Sequence, residues 1–337
     1  MIESVREIAD AVLYEGFLLF PYHRGALKNQ MPYQFGVVMP SGYADPSEPS
    51  AFRTEFGLIC QDVAPRIFGV LRFLEAGEET VEREVSFEFD PASGRGEHRF
   101  ACGALQGIIA FEAERRGTHV WIALDVRNET RVSPAADRNA ALPKALVSAH
   151  LVLEARGGTF ISLIDPPQGA ADLAARCTNE RFFPVLAGPA DEGSQTSPTL
   201  LASPIVLYDF PKVAQASRGP NFDATEIDEL LSLSVAALGD EERAQARATH
   251  PEVARMVDRA EMRAIAPGWR VRVRPRGRAD VWDGIVYGKT ARVVDVKTDV
   301  DGKQYVGVLF DDDPASEMHE WYGRSFFYGI DEVEPLK

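Results

Sequence analysis

The feature that most constrains the fold is a pair of alternating segments that flank a short turn. The segments are Ile108–Glu114 and Thr118–Asn128, with Gly117 ending the turn between them. In the second segment every other residue is apolar: Val120, Ile122, Leu124 and Val126. Because successive side chains of a strand point to opposite faces, this period of two predicts a β-hairpin with one buried face.

Further strands are expected around this hairpin, from about Ala11 to Pro167. Apolar runs at Ala145–Leu153 and Thr159–Leu163 flank a turn at Gly157 and Gly158. Apolar residues make up 45% of the 337 residues, enough for a sizeable core. We therefore predict a mainly β (α+β) protein whose residues 1–167 form an antiparallel, β-sandwich-like domain.

The pattern changes after residue 167. The tract "DEGSQTSP" is typical of a loop, and "LLASPIVLYDFPKVA" predicts a short strand that ends at Pro211. Asp223 and Glu226 have the spacing of a capping box, and apolar residues follow at helical spacing up to Arg263. Residues 168–265 are thus predicted to be a loop-rich bridge, a strand and two or three short helices that pack on the body.

Residues 266–337 contain only strand and turn signals, which predict a small SH3-like β-barrel. Asp301-Gly302 suits a two-residue type I′ hairpin turn, because both positions tolerate positive φ. This turn would pair Val296 with Gly307 and Thr298 with Tyr305, and would place these residues on the apolar face.

The charge and the N-terminal sequence restrict the function classes. A net charge of −15 and an isoelectric point near 4.9 argue against nucleic acid and anionic membranes as partners. Three scattered cysteines suit a reducing compartment, and the N-terminal residues lack the features of a signal peptide. We expect a cytoplasmic protein.

One acidic segment is a candidate cation site. "DDDPASEMHE" contains Asp311, Asp313, Glu317 and His319 within ten residues. Carboxylates and an imidazole could bind a divalent metal, although no recognised metal spacing is present. The alternative is a solvated acidic loop between two strands, in which case no cofactor is expected.

The sequence contains no recognisable catalytic group. Ser148 and His150 are two residues apart, so a strand would place them on one face, but no G-x-S-x-G motif accompanies them. The pattern favours a protein that is not an enzyme.

The segment "YEGFLLFPYHRGALKNQ" is the candidate for partner binding. After its apolar run it presents Tyr22, Arg24, Lys28 and Asn29, which have no evident structural role. Aromatic residues beside arginine are typical of interface hot spots, and a basic patch on an acidic protein could orient an acidic partner. The alternative is a solvated loop after a strand.

Several long motifs resemble one family. They are "ADAVLYEGFLLFPYHRGALKNQ", "SAHLVLEARGGTFISLIDPP", "LLASPIVLYDFPKVA", "FDATEIDELLSLSVAALGDEERAQARATHPEVARMVDR" and "GKTARVVDV…VGVLFDDDP…SFFYGIDEVEPL". In this order they resemble accessory proteins encoded with the actinobacterial-type, oxygen-tolerant [NiFe]-hydrogenases. The chain departs from the family pattern at Ala315, where a glycine is expected, and at "WYGRSFF", where a Pro-Gly-His run is expected.

The resemblance implies a role in maturing or assembling a hydrogenase, and it assigns no catalytic residue. The first hypothesis is therefore a non-catalytic scaffold that binds [NiFe]-hydrogenase subunits or maturation proteins, with the C-terminal barrel as a second docking module. The alternatives are a metal-handling protein or metalloenzyme that uses Asp311–Glu320, and a binding module unrelated to hydrogenases.

Overall fold

The structure, a computed structural model, describes residues 3–15, 20–22, 35–60, 65–77, 80–189, 193–212, 228–263, 265–276, 281–299 and 304–336. It is mainly β, with 43% strand against 23% helix, and its strands form three antiparallel sheets. The predicted fold class is confirmed. None of the described helices is long and apolar enough to span a membrane.

The strands and helices of the described residues have the following bounds. The strands are β1 (Ala51–Cys60), β2 (Arg66–Glu75), β3 (Val81–Phe89), β4 (Arg95–Cys102), β5 (Leu105–Arg116), β6 (His119–Asn128), β7 (Val147–Arg156), β8 (Gly158–Ile161), β9 (Phe183–Ala187), β10 (Thr196–Ser197), β11 (Thr199–Ser203), β12 (Arg270–Val273), β13 (Thr290–Thr298), β14 (Gln304–Phe310), β15 (Phe326–Gly329) and β16 (Val333–Leu336). The helices are α1 (Glu3–Tyr14), α2 (Arg138–Ala141), α3 (Ala171–Arg176), α4 (Asp228–Ala236), α5 (Asp240–Thr249), α6 (Pro251–Arg263), α7 (Val281–Val286) and α8 (Ser316–Trp321).

The chain divides into two compact units. The first comprises Met1–Leu18 and Met31–Ala214, and the second comprises Leu19–Gln30 and Gln215–Lys337. The first unit extends beyond the predicted boundary at residue 167, because β8 to β11 are paired into both of its sheets. The predicted helices of residues 223–263 fall in the second unit.

The first unit is a sandwich of two sheets. One sheet has the order β10-β8-β1-β6-β5-β4 and the other β3-β2-β7-β11-β9. Phe56 and Leu58 of β1 share one buried cluster with Leu151 and Leu153 of β7, so the main core lies between the sheets. The hairpin predicted at Ile108–Asn128 is confirmed as β5 and β6.

Two parts of the first unit go beyond or differ from the sequence prediction. The predicted turn at Gly157 and Gly158 joins β7 and β8, which belong to different sheets, so the chain crosses the sandwich there. Residues 11–14 were expected to begin the strand region but end helix α1. This helix packs on the outer face of the second sheet through Val5, Ala9 and Val12.

A buried arginine fixes helix α1 to the sheet. Arg72 of β2 has a side chain that is only 4% exposed, and its Nη2 lies 2.6 Å from Asp10 of α1. Glu84 of β3 lies 3.0 Å from Arg72 Nε. A buried cation needs such carboxylates, since an unpaired charge away from water is strongly unfavourable.

In the second unit three helices precede a five-stranded sheet. The helices α4, α5 and α6 confirm the predicted helical region, and Pro251 occupies the first position of α6. The sheet has the order β15-β14-β13-β12-β16 around its own apolar cluster, and no closed barrel is found in the described residues. The predicted β-rich C-terminal segment is thus present as a five-stranded antiparallel sheet.

The predicted register of β13 and β14 is wrong by one residue. Val296 pairs with Val306, not with Gly307, and Thr298 pairs with Gln304. Five residues, 299–303, lie between the paired residues Thr298 and Gln304. Around a two-residue turn the number of residues between two paired positions is even, so this pairing does not fit such a turn. Because a shift of one residue exchanges the faces of a strand, Val306 and Val308 lie in the core together with Phe310 of the same strand. Asp301 and Gly302 themselves lie outside the described residues.

Candidate functional site

The structure places only one of the four predicted partner contacts. Tyr22 is fully buried, has a φ of 61°, and its ring meets Phe20 edge-on with the centroids 6.0 Å apart. Tyr22 is therefore not a surface residue, contrary to its proposed role as a contact. Arg24, Lys28 and Asn29 lie outside the described residues.

The acidic segment around helix α8 is paired with basic side chains of the same sheet. Asp311 lies 2.5 Å from Arg270. Asp312 lies 2.6 Å from Lys289. Burial tends to raise the pKa of Asp311, but hydrogen bonds from Arg270 and Thr290 outweigh it and lower that pKa. Asp311 and Asp312 thus each have a basic side chain of the second unit as a close neighbour.

The four predicted metal ligands are not brought together as a described cluster. His319 Nε2 is 3.6 Å from Asp313, whose Oδ1 also accepts the N–H of Ala315. Asp311 faces Arg270 instead, and the position of the Glu317 side chain is not described. Among the described residues, no group of three or more His, Cys, Asp or Glu side chains could hold a metal ion.

A surface of exposed aromatic residues follows the acidic segment. Trp321 is 86% exposed, Tyr322 68% and Phe327 43%, and Met318 is 58% exposed. All four lie within ten residues on α8, the turn after it and β15. We call them the aromatic surface.

The sheet holds one residue of this aromatic surface, Phe327, in place. Phe326 and Tyr328 pack on Phe310 in the core, so the alternation of β15 directs Phe327 to the other face. There the Phe327 ring lies against Gly307, where an added Cβ would be 3.1 Å from it. Lys297 Nζ lies 4.7 Å from the centroid of the same ring. Phe327 is thus fixed in place although it is exposed.

The sequence contained a signal for this surface. The run Trp321-Tyr322-Gly323-Arg324 places two aromatic residues beside an arginine, the composition used to select Tyr22 and Arg24. The neighbouring "SFFYG" predicts a strand, which by itself assigns no binding role to the run.

The first unit contains a cleft of about 370 Å³ beside β1. Its lining residues are Pro49, Ala51, Phe52, Arg53, Glu55, Thr178, Glu180 and Arg181. Glu55, which is buried, accepts hydrogen bonds from Arg53 Nε at 2.9 Å, from the Thr178 N–H at 3.0 Å and from Trp121 Nε1 at 3.3 Å. Arg53 also donates to Asp125 at 2.7 Å.

Glu55 and the nearby Cys177 are the titratable groups to consider at this cleft. The Glu55 carboxylate accepts hydrogen bonds from three donors, which hold it in place. Burial and the Glu55 charge raise the pKa of the nearby Cys177 thiol to about 12, although Arg176 opposes the shift, so the thiol stays protonated at neutral pH. The protonated Cys177 thiol is not a nucleophile.

Ser148 and His150 do not form a catalytic pair. His150 Nδ1 lies 2.9 Å from the Ser148 carbonyl oxygen, which fixes the ring, and Nε2 has no hydrogen-bond partner within the described part of the chain. Burial lowers the pKa of His150 to about 3; the Ser148 carbonyl opposes this shift and Arg72 adds to it. A fully buried, neutral imidazole cannot exchange protons with a substrate in solution.

No protein-family model matches the sequence, and no curated protein matches it.

Proposed function

We propose that this chain is a non-catalytic accessory protein of the cytoplasm that acts by binding another protein. The observation that carries the proposal is the aromatic surface, in which three aromatic side chains and a methionine are exposed within ten residues. Single exposed apolar residues are normal, but exposed apolar patches are typical of interaction sites, and these four exposed side chains are close together in the sequence.

The residue types of this surface support protein binding rather than binding of small molecules. Tyrosine and tryptophan supply a large contact area with few rotatable bonds, so little conformational entropy is lost on binding. The ring of Phe327 is already fixed between Gly307 and Lys297. Such preorganised aromatic side chains are typical of residues that dominate binding energy.

The partner class comes from the resemblance of the sequence motifs. It implies a [NiFe]-hydrogenase subunit or a maturation protein, and the scaffold hypothesis needs no catalytic residue. The metal-handling alternative has no specific support, because Asp311 and Asp312 are paired with Arg270 and Lys289.

Affinity purification tests this proposal. The tagged chain is purified from a host that expresses the hydrogenase structural and maturation genes, and bound proteins are identified by mass spectrometry. The wild type is compared with Trp321→Ala/Tyr322→Ala. The matched control is Val206→Ala/Tyr208→Ala, since these residues are 73% and 84% exposed in the first unit.

We expect a hydrogenase subunit or maturation protein to accompany the wild type and the control, and to be lost with Trp321→Ala/Tyr322→Ala. If no such protein accompanies the wild type, the proposed function is wrong. A third variant, Arg24→Ala/Lys28→Ala, tests the N-terminal segment. Loss of the partner with this variant alone would assign binding to that segment and not to the aromatic surface.

A further inference from the structure

Among the described residues, β15 is an edge strand of the sheet in the second unit. It pairs with β14 on one side, from Phe326 with Val308 to Gly329 with Tyr305, and it is the first strand in the sheet order. An edge strand offers backbone N–H and C=O groups to a further strand.

Other sheet edges in the described residues are protected. Pro335 lies in β16, and proline cannot donate a backbone hydrogen bond. In β9 the N–H of Leu186 donates to the Asp209 carboxylate at 2.8 Å, and the Leu186 carbonyl accepts the N–H of Phe210 at 2.7 Å. β3 and β4 carry several charged side chains, and β10 has only two residues. β15, with the sequence FFYG, has neither charge nor proline.

The register identifies the backbone groups that face away from β14. In an antiparallel pair, every second residue directs its backbone N–H and C=O to the neighbouring strand. The residues between them direct their backbone N–H and C=O away from it. The Gly329 N–H donates to the Glu332 carboxylate at 2.9 Å, which places Gly329 at an outward position. Phe327, two residues earlier, therefore directs its N–H and C=O to the open edge.

The side chains beside this edge indicate what it could accept. Trp321, Tyr322 and Phe327 offer apolar contact. Lys297 lies over the Phe327 ring and is paired with Asp295 at 3.2 Å, whereas the side chain of Arg324 is exposed two residues before β15. A segment with apolar residues and a flanking carboxylate that reaches Arg324 complements this set.

We propose that β15 binds an extended segment of a partner protein by strand addition, and that the segment carries alternating apolar residues flanked by acidic ones. The Phe327 N–H and C=O pair with the backbone of the added strand, and the aromatic surface contacts its side chains. This inference rests on the proposed function, because it names how the same surface binds a protein.

A peptide of defined sequence tests the inference. The probe is fluorescein-labelled Glu-Val-Thr-Val-Thr-Val-Thr-Glu, titrated with the full chain into the millimolar range and followed by fluorescence polarisation. Phe327→Pro removes the outward N–H without removing a bond to β14, whereas Phe327→Ala keeps the N–H and removes the ring. Two further peptides carry backbone N-methyl groups, one at its valines and the other at its threonines. Each peptide therefore lacks the backbone N–H donors along one edge of the strand that it forms.

We expect the wild type to bind the probe, Phe327→Pro to weaken binding at least tenfold, and Phe327→Ala to weaken it less. One of the two N-methylated peptides should lose binding at least tenfold. Amide exchange in residues 324–329 should slow when the probe is added, a measurement that needs no variant. Absence of binding by the wild type, unchanged binding by Phe327→Pro, or unchanged exchange would each overturn strand addition.

The proposed function and strand addition can be tested independently of each other. If Phe327→Pro retains the co-purified hydrogenase component while Trp321→Ala/Tyr322→Ala loses it, protein binding stands and strand addition is wrong.

Discussion

The buried His150 should make the first unit less stable as the pH falls from 7 to 5. In the folded chain the pKa of this ring is about 3, chiefly because the ring is buried, whereas a free histidine titrates near 6.5. The unfolded chain therefore binds a proton below about pH 6.5 that the folded chain does not bind. A group with a lowered pKa in the folded state contributes stability above its unfolded pKa, and this contribution is lost as the pH falls towards 3.

The size of the effect follows from the two pKa values. At pH 5 the unfolded ring is about 1.5 pH units below its pKa while the folded ring is still neutral, and each unit corresponds to about 1.4 kcal/mol. The expected loss between pH 7 and pH 5 is thus about 2 kcal/mol. The carboxylates that pair with Arg72 also titrate on acidification, so the contribution of His150 must be obtained by difference.

The assay compares the wild type with His150→Gln and His150→Leu at both pH values. Amide exchange of peptides from β7 is measured in increasing urea and corrected for the intrinsic rate at each pH, so the free energy of opening refers to the first unit. The variants should lose about 2 kcal/mol less than the wild type between pH 7 and pH 5, whatever their stability at pH 7. Equal losses in all three proteins would refute the conclusion that His150 is buried and neutral.

Two further predictions concern stability. Asp10→Ala removes the carboxylate nearest to Arg72, and we expect a loss of about 1–2 kcal/mol, since Asp10 is half-exposed, together with faster amide exchange in α1. Gly69→Ala should cost about 1–3 kcal/mol in denaturant unfolding, because the new Cβ would lie 2.2 Å from Phe87 Cζ. Gly284→Ala in α7 is its control, since no heavy atom lies within 4 Å of that Cβ and the change should stabilise the helix by up to about 1 kcal/mol. Equal effects of the two glycine substitutions would contradict the packing argument.

The sequence alone determined the elements whose signals are local. The alternation of Val120, Ile122, Leu124 and Val126 predicted β6, and these side chains are buried. The spacing of apolar residues and Pro251 predicted the helices of the second unit. Such signals suffice because a strand or helix that buries one face repeats its pattern within a few residues.

The sequence did not determine which strands pair or in what register. The two apolar runs around Gly157 could form a hairpin or cross a sandwich, and only the partners β2 and β1 decide for the second arrangement. Likewise, an odd number of residues lies between the paired positions of β13 and β14, and this register places Val306 in the core instead of Gly307. Pairing depends on strands that are distant in sequence, so no local pattern can encode it unambiguously.

The tertiary structure also decided which candidate site residues are exposed and which charged groups lie beside them. Tyr22 was expected at the surface and is buried, whereas Trp321 and Tyr322 are exposed. Asp311 was considered as a metal ligand, but Arg270, 41 residues earlier, lies beside it in the folded sheet. The residue type sets what a side chain can do, but exposure and the charge of its neighbours are set by packing between distant segments, and these decide what it does.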